Sequence, residues 1–156
     1  MITESMDSPH KLTDITDESP HAMMINMIHG DRVKNVKVHR MDDGPDHVLT
    51  FERDGNMEIH HIPEDPFSVG KIQSDRTGPN MRFVSTAVDL AKDHVNSGGS
   101  VRIVATPETI EKFHGIAKKV ASRNNAESSD VSNVPDPEFY GGFGQKLSAF
   151  TVRKMK

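Results

Sequence analysis

The stretch that decides the fold runs from Met81 to Arg123 and reads MRFVSTAVDL AKDHVNSGGS VRIVATPETI EKFHGIAKKV ASR. Its first part predicts an amphipathic helix, because apolar residues recur at helical spacing: Val84, Ala87, Val88, Ala91 and Val95. Gly98 and Gly99 break this helix. The following residues, VRIVA at 101–105, predict a buried strand.

A second helix is predicted directly after this strand. Thr106 is suited to accept a hydrogen bond from the first-turn amides, and Pro107 has a φ suited to the first helical position. Glu108 lies near the positive end of the helix dipole. One apolar face follows, made of Ile110, Phe113, Ala117, Val120 and Ala121. A core strand leading into a capped helix is typical of α/β proteins, in which helices cover the sheet.

The first half of the chain predicts an antiparallel meander of strands separated by turn residues. The strands are predicted at 22–28, 32–40, 47–53 and 57–62. We therefore predict an α/β domain over residues 21–123, with α+β as the alternative. In it, one mixed sheet is covered by helices.

The ends of the chain have a different composition from this domain. Residues 1–20 are polar and predict a flexible arm, and residues 124–134 predict a linker. The last segment, 135–156, holds half of the chain's aromatic residues: Phe139, Tyr140, Phe143 and Phe150. Because large rings stabilise cores and interfaces, we expect this segment to dock through a strand at 147–152. Its docking surface is either the chain's own sheet or that of a partner subunit, which would give a homodimer.

Composition limits the classes of function. The 156 residues contain no Cys, which excludes disulfides, thiolate catalysis and Cys-based zinc sites. No apolar run approaches the roughly 18 residues of a membrane span, and no secretory leader is evident. A soluble, cytoplasmic protein without contact to a membrane is therefore expected. No cofactor-binding motif occurs, and no cofactor is expected.

The charge is divided unevenly along the chain. Residues 1–70 carry 14 acidic and 6 basic residues, a net charge of −8, and residues 71–156 carry 9 acidic and 13 basic residues, a net charge of +4. The basic second half permits contact with RNA or the ribosome, although it lacks the dense basic patch typical of such proteins.

Nine histidines raise the question of a metal site. His39 and His47 flank a predicted turn, while His60 and His61 are adjacent and should point to opposite sheet faces. A hairpin would bring His39 and His47 together, whereas adjacent residues of a strand cannot chelate one ion. Ordinary surface histidines are the favoured interpretation, and no metal site is assigned.

The best candidate site combines the polar loop at 67–80 with the end of the central strand, because ligands of α/β sheets bind beyond the carboxyl ends of strands. Its candidate binding residues are Lys71, Asp75, Arg76, Thr106 and Glu108. No catalytic residue is assigned.

The order of these elements resembles the bacterial host-attachment protein family over about residues 22–123. The resemblance rests on HGDRV at 29–33, SDRTG at 74–78, the long helix, and the strand that leads through Thr106 and Pro107 into a helix. That family is similar to the middle domain of archaeal and eukaryotic peptide-chain release factors, which implies a three-layer α/β fold. Those factors use a Gly-Gly-Gln loop for ester hydrolysis, and the matching loop here, GKIQSDRTG at 70–78, lacks that triplet.

Two functions therefore remain open. The first is a non-catalytic binding or regulatory protein with a protein partner, in contact with RNA or the translation machinery. The alternative is a hydrolase or nuclease-like enzyme whose polar site lies near the 70–80 loop and the start of the helix at 107–123.

Overall fold

The computed structural model describes residues 12–41, 47–62, 81–134 and 147–154. Its helices are α1 (Pro20–His29), α2 (Met81–Asn96) and α3 (Pro107–Arg123). Its strands are β1 (Leu12–Asp14), β2 (Val33–Met41), β3 (His47–Arg53), β4 (Asn56–Ile62), β5 (Ser100–Ala105), β6 (Ala126–Ser128), β7 (Ser132–Val134) and β8 (Leu147–Lys154). Short 3₁₀ turns at Thr16–Glu18 and Gly30–Arg32 precede and follow α1.

All eight strands belong to one mixed sheet in the order β1-β2-β3-β4-β5-β8-β6, with β7 also pairing with β8. β2, β3 and β4 pair antiparallel, as predicted for these three strands, and β1 pairs antiparallel with β2. The β4–β5 pair is parallel, and β8 returns antiparallel to β5. The predicted α/β class, with one mixed sheet and helices on it, is confirmed.

Each face of the sheet carries its own apolar core, because side chains alternate along a strand. On one face, α2 and α3 pack over Ile59, Ile103 and Phe150. On the other face, Ala22 and Ile25 of α1 belong to a core shared with the central strands. We call these the α2/α3 face and the α1 face. The core strand and the two helices from Met81 to Arg123 follow the sequence prediction closely.

The prediction of a strand at 22–28 is wrong, because these residues lie within α1. Ser19 caps the helix, because its hydroxyl accepts a hydrogen bond from the His21 amide at 3.1 Å. Pro20 occupies the first helical position. The cap therefore decides the conformation of an apolar run that reads equally well as a strand.

Two segments predicted to lie outside the domain take part in the sheet. The described part of the predicted N-terminal arm includes β1, which pairs with β2. The Thr16 hydroxyl accepts a hydrogen bond from the Val38 amide at 3.0 Å and holds this segment in place. Residues 124–134, predicted to be a linker, form β6 and β7, which both pair with β8.

The C-terminal strand lies inside the chain's own sheet. β8 pairs with the whole of β5, from Ser100 opposite Arg153 to Ala105 opposite Ser148. The Phe150 side chain is buried between the sheet and α3. Phe139, Tyr140 and Phe143 lie outside the described residues.

No helix in the described ranges is long and apolar enough to cross a membrane.

Candidate anion-binding site

Four ionisable side chains meet on the α1 face, at one end of the central strands. Arg53 ends β3, Glu58 and His60 lie in β4, and Arg102 lies in β5. The strand register brings them together, because Glu58 pairs directly with Arg102 across the parallel β4–β5 ladder. We call these four residues the Glu58 cluster.

Glu58 accepts hydrogen bonds from all three other members of the cluster. Arg53 Nη2 donates to Oε2 at 2.8 Å, and Arg102 Nη1 donates to Oε1 at 3.1 Å. His60 Nε2 lies 2.9 Å from Oε1, and because a carboxylate only accepts, this nitrogen carries the proton. Glu58 itself is 4% exposed, whereas the side chains of Arg53 and Arg102 are 20% and 28% exposed.

His60 and the two guanidinium groups together keep Glu58 ionised. Burial alone raises the pKa of Glu58, but the hydrogen bond from His60 and the nearby charges outweigh burial and lower the pKa to about 2. Burial in turn lowers the pKa of His60, despite its hydrogen bond to Glu58. His60 is therefore neutral at neutral pH, and its ring stacks on Phe51 with centroids 5.2 Å apart.

This protonation pattern is unsuited to acid–base catalysis. A general base works best with a pKa near the working pH, and Glu58 lies far below it. His60 is 0% exposed, so a substrate in solvent does not reach its ring. The arrangement instead fixes the guanidinium group of Arg102 in one orientation at the edge of solvent.

A polar depression of about 390 Å³ lies beside this cluster, on the side of β8 and β6. It is lined by Glu127, Ser128, Ser129, Thr151 and Arg153. We call it the β8 depression. At its open surface Arg153 Nε donates to Glu127 Oε2 at 2.7 Å, an ion pair between two exposed side chains.

One residue of the β8 depression, Thr151, is a sheet neighbour of the Glu58 cluster. Thr151 pairs with Arg102, and Arg153 follows Thr151 by two residues, so all three lie on the same face. The Thr151 amide donates to the Ser129 hydroxyl at 2.9 Å, which keeps the 129 loop next to the strand. Arg153 lines the depression, and Arg102 lies opposite Thr151 in the neighbouring strand.

A second concavity lies on the α2/α3 face and is almost entirely apolar. It has a volume of about 70 Å³ and lies between the C-terminal halves of α2 and α3. Its walls include Val88, Ala91, Phe113 and Ala117, and Lys92 lies at its edge. We call it the helix slot.

Of the five predicted site residues the structure describes two, Thr106 and Glu108, which lie at the start of α3. Glu108 is exposed in the first turn of α3. The Thr106 hydroxyl donates to Thr109 Oγ1 at 3.2 Å and caps no amide, so the predicted side-chain cap is wrong. Lys71, Asp75 and Arg76 lie outside the described residues, and the enzyme hypothesis built on them stays untested.

The residues of the Glu58 cluster were missed by sequence reasoning, although one signal for them exists. Arg102 is the one charged residue within the buried strand VRIVA at 101–105. A charge in such a strand needs a partner, since unpaired burial is costly. The partner itself was beyond prediction, because it depends on the parallel register between β4 and β5.

The histidines lie as the alternation of β4 predicted. His60 faces Phe51 and His61 faces Phe83, on opposite sides of the sheet. His39 pairs with Val48, whereas His47 pairs with Arg40. Among the described residues, no three His, Asp or Glu side chains converge on a point where a metal ion would bind.

Comparison with protein-family models, with curated proteins and with solved structures finds no match to this chain. The resemblance to the host-attachment family therefore stays a prediction from sequence.

Proposed function

We propose that this protein is a non-catalytic binding protein that contacts the phosphates of single-stranded RNA through Arg102 and Arg153. The proposal is carried by one observation. Arg153, which is exposed and paired with Glu127, lines an open depression together with Thr151 and Ser129. Thr151 pairs in the sheet with Arg102, whose guanidinium is bound to Glu58.

Guanidinium groups suit this role for physical reasons. Their planar forks match phosphate oxygens in a bidentate geometry. A guanidinium that is already held by a carboxylate loses less freedom when it binds, so more of the interaction energy appears as affinity. Together, Arg53, Arg102 and Arg153 with Glu58 and Glu127 carry a formal charge of +1.

The chemistry of the depression favours an RNA backbone over an apolar ligand. Its lining residues are all polar or charged. Contacts of this kind are to phosphate and hydroxyl groups, so binding is expected to be independent of sequence and weakened by salt. The resemblance to proteins of the translation machinery points in the same direction.

Fluorescence anisotropy with a labelled oligouridine about 12 nucleotides long tests the proposal. Contact with two phosphates predicts a slope of about −1.4 for log K against log salt concentration. Arg153→Gln should weaken binding and bring the slope to about −0.7. Its matched control is Lys112→Gln, which removes the same charge from an exposed position on α3 and should leave both quantities unchanged.

Two outcomes would contradict the proposal. Equal affinity and salt slope for wild type and Arg153→Gln would show that RNA binds elsewhere or does not bind. Displacement of the RNA by an acidic peptide at equal concentration would show a general anion site, whose partner is then an acidic protein.

A further inference from the structure

A neutral polar pair lies on the α1 face beside the Glu58 cluster. Asn56 is the first residue of β4, and Ser100 is the first residue of β5. Each precedes a member of the cluster, Glu58 or Arg102, by two residues and therefore lies on the same face of the sheet. The Ser100 hydroxyl donates a hydrogen bond to Oδ1 of Asn56. This bond joins the two strands next to the ion pair of Glu58 with Arg102.

The Asn56–Ser100 pair is a neighbour of both arginines of the proposed RNA contact. Ser100 lies two residues from Arg102 along β5, a separation of about 7 Å. Across the sheet, Ser100 pairs directly with Arg153 of β8, and the Cβ atoms of directly opposed residues lie roughly 5 Å apart. Asn56 is exposed and Ser100 is half-buried, so solvent reaches both. A strand bound at the two arginines therefore has this pair within reach.

The hydrogen bond between Asn56 and Ser100 determines which of their polar groups remain for a ligand. It uses the hydroxyl proton of Ser100 and one acceptor site of Oδ1 in Asn56. The amide nitrogen of Asn56 retains its two N–H donors, and the Ser100 oxygen retains its lone pairs as acceptors. A ligand group that donates and accepts at once therefore fits the pair better than a phosphate oxygen, which only accepts.

The ribose 2′-hydroxyl is a group of this kind. It is both a donor and an acceptor, and it is the group by which proteins distinguish RNA from DNA. Base edges also donate and accept, but the contacts of Arg102 and Arg153 are proposed to be with the backbone. The 2′-hydroxyl belongs to that backbone and lies close to its phosphates, so it is the group that a pair beside the two arginines meets first.

We propose that Asn56 and Ser100 bind the 2′-hydroxyl of one nucleotide and thereby make this protein prefer RNA over DNA. In this contact, Nδ2 of Asn56 donates to the 2′-oxygen, and the 2′-hydroxyl donates its proton to Oγ of Ser100. The inference rests on the proposed RNA contact and adds the choice of sugar to it. Because water hydrates the pair when DNA binds instead, the preference is expected to be about fivefold to tenfold.

Fluorescence anisotropy with three labelled strands of about 12 nucleotides tests the inference at one salt concentration. The strands are oligouridine, oligodeoxyuridine and 2′-fluoro oligouridine, which share one base. Wild type should bind oligouridine about fivefold to tenfold more tightly than oligodeoxyuridine. The 2′-fluoro strand retains an RNA-like sugar pucker but has no 2′-donor, so it should bind as weakly as DNA.

Variants of the pair should abolish the preference without weakening the binding of DNA. Ser100→Ala should lower the affinity for oligouridine about fivefold to tenfold and leave that for oligodeoxyuridine unchanged. Asn56→Ala should do the same, and the double variant should lose no more than either, because the two side chains act as one unit. Ser100→Thr retains the hydroxyl and should restore the preference that Ser100→Ala loses.

The matched control is Ser122→Ala, which removes a hydroxyl from an exposed position on α3, on the other face of the sheet. It should leave the affinities for both strands unchanged. A circular dichroism melt, together with an unchanged affinity for oligodeoxyuridine, verifies that each variant is folded.

Four outcomes would overturn the inference. Equal affinity of wild type for oligouridine and oligodeoxyuridine would do so while leaving the proposed phosphate contact intact. A 2′-fluoro strand that binds as tightly as oligouridine would show that the sugar pucker is recognised rather than the hydroxyl. An RNA preference that persists in both Ser100→Ala and Asn56→Ala would place its recognition at other residues. Absence of binding to all three strands would remove the proposed function, and this inference with it.

Discussion

His60 and His61 are neighbours in β4, yet each packs against a phenylalanine on a different face of the sheet. The His60 ring stacks on Phe51 at 5.2 Å between centroids, and the His61 ring lies 4.6 Å from that of Phe83. Both imidazoles are buried. Burial lowers the pKa of His60, because protonation of its ring would place a charge where water is excluded.

Removal of Glu58 should destabilise the fold more than removal of an exposed partner of arginine. Glu58→Ala is expected to lower the free energy of unfolding by about 3 kcal/mol, near the low end for buried pairs because the two guanidiniums keep some access to water. Glu127→Ala breaks the exposed pair with Arg153 and should lower it by less than about 1 kcal/mol. Urea unfolding at pH 7 measures both, and equal losses would show that burial does not set the strength of the cluster.

Stability should fall in two stages as the pH is lowered. Because the pKa of His60 is lowered below 6.5 in the folded state, the unfolded chain takes up this proton first, and stability declines as the pH falls below about 6.5. The pKa of Glu58 is lowered from 4.5 to about 2, so its contribution is complete above pH 4.5 and is lost as the pH falls towards 2. This second stage amounts to about 3 kcal/mol.

Urea midpoints measured across the pH range test the assignment of these stages. Glu58→Gln should remove the second decline, whereas Glu127→Gln should retain it. A decline below pH 4.5 that is equally steep in Glu58→Gln would assign the effect to other carboxyl groups.

The turn after α2 should not tolerate a side chain at Gly99. A Cβ atom there would overlap the ring of His94 at Nε2. Gly99→Ala is therefore expected to cost about 1–3 kcal/mol through overpacking, and most of this cost should vanish in a His94→Ala background. Gly115→Ala is the control, since Gly115 lies in a helix and no atom would lie within 4 Å of its added Cβ. This variant should raise the free energy of unfolding by about 0.5–1 kcal/mol. If the stability changes of Gly99→Ala and His94→Ala, measured by urea unfolding, simply add in the double variant, the two positions are not in contact.

Phe150 should be the most sensitive residue of the C-terminal segment. It is 2% exposed and meets the Phe113 ring edge-on at 5.3 Å between centroids. Phe150→Ala is expected to cost about 3–5 kcal/mol and to lower the thermal midpoint accordingly. Val131→Ala, at an exposed position in the same half of the chain, should change stability by less than about 0.5 kcal/mol. A thermal midpoint unchanged in Phe150→Ala would mean that β8 is dispensable.

Most helices and strands whose sequence follows one clear pattern were predicted correctly from that pattern. The helix Pro107–Arg123 was predictable because Pro107 begins it and a continuous apolar face follows. The α1 segment was not, because apolar residues fill Ala22–Ile28 without a clear period. The capping signal of Ser19 and Pro20 was present and would have decided the case.

The Glu58 cluster shows what local patterns cannot supply. Alternation along β4 places Glu58 and His60 on one face, but it does not reveal that Arg102, far along the chain, lies beside them. That neighbour is fixed by the parallel pairing of β4 with β5, which is a tertiary property. The short strands β6 and β7 were missed for a related reason, since their polar residues pair only because β8 lies next to them.

The position of β8 between β5 and the short strands β6 and β7 has a consequence for biosynthesis. The ribosome delivers β5 with one neighbour, β4, already made, while the neighbour on its other side is still to be translated. Until Lys154 has left the exit tunnel, β5 keeps an open edge and α3 lacks the Phe150 ring beneath it. The nascent chain therefore completes its sheet late, and during that interval the unpaired edge of β5 is the surface that a chaperone would need to protect.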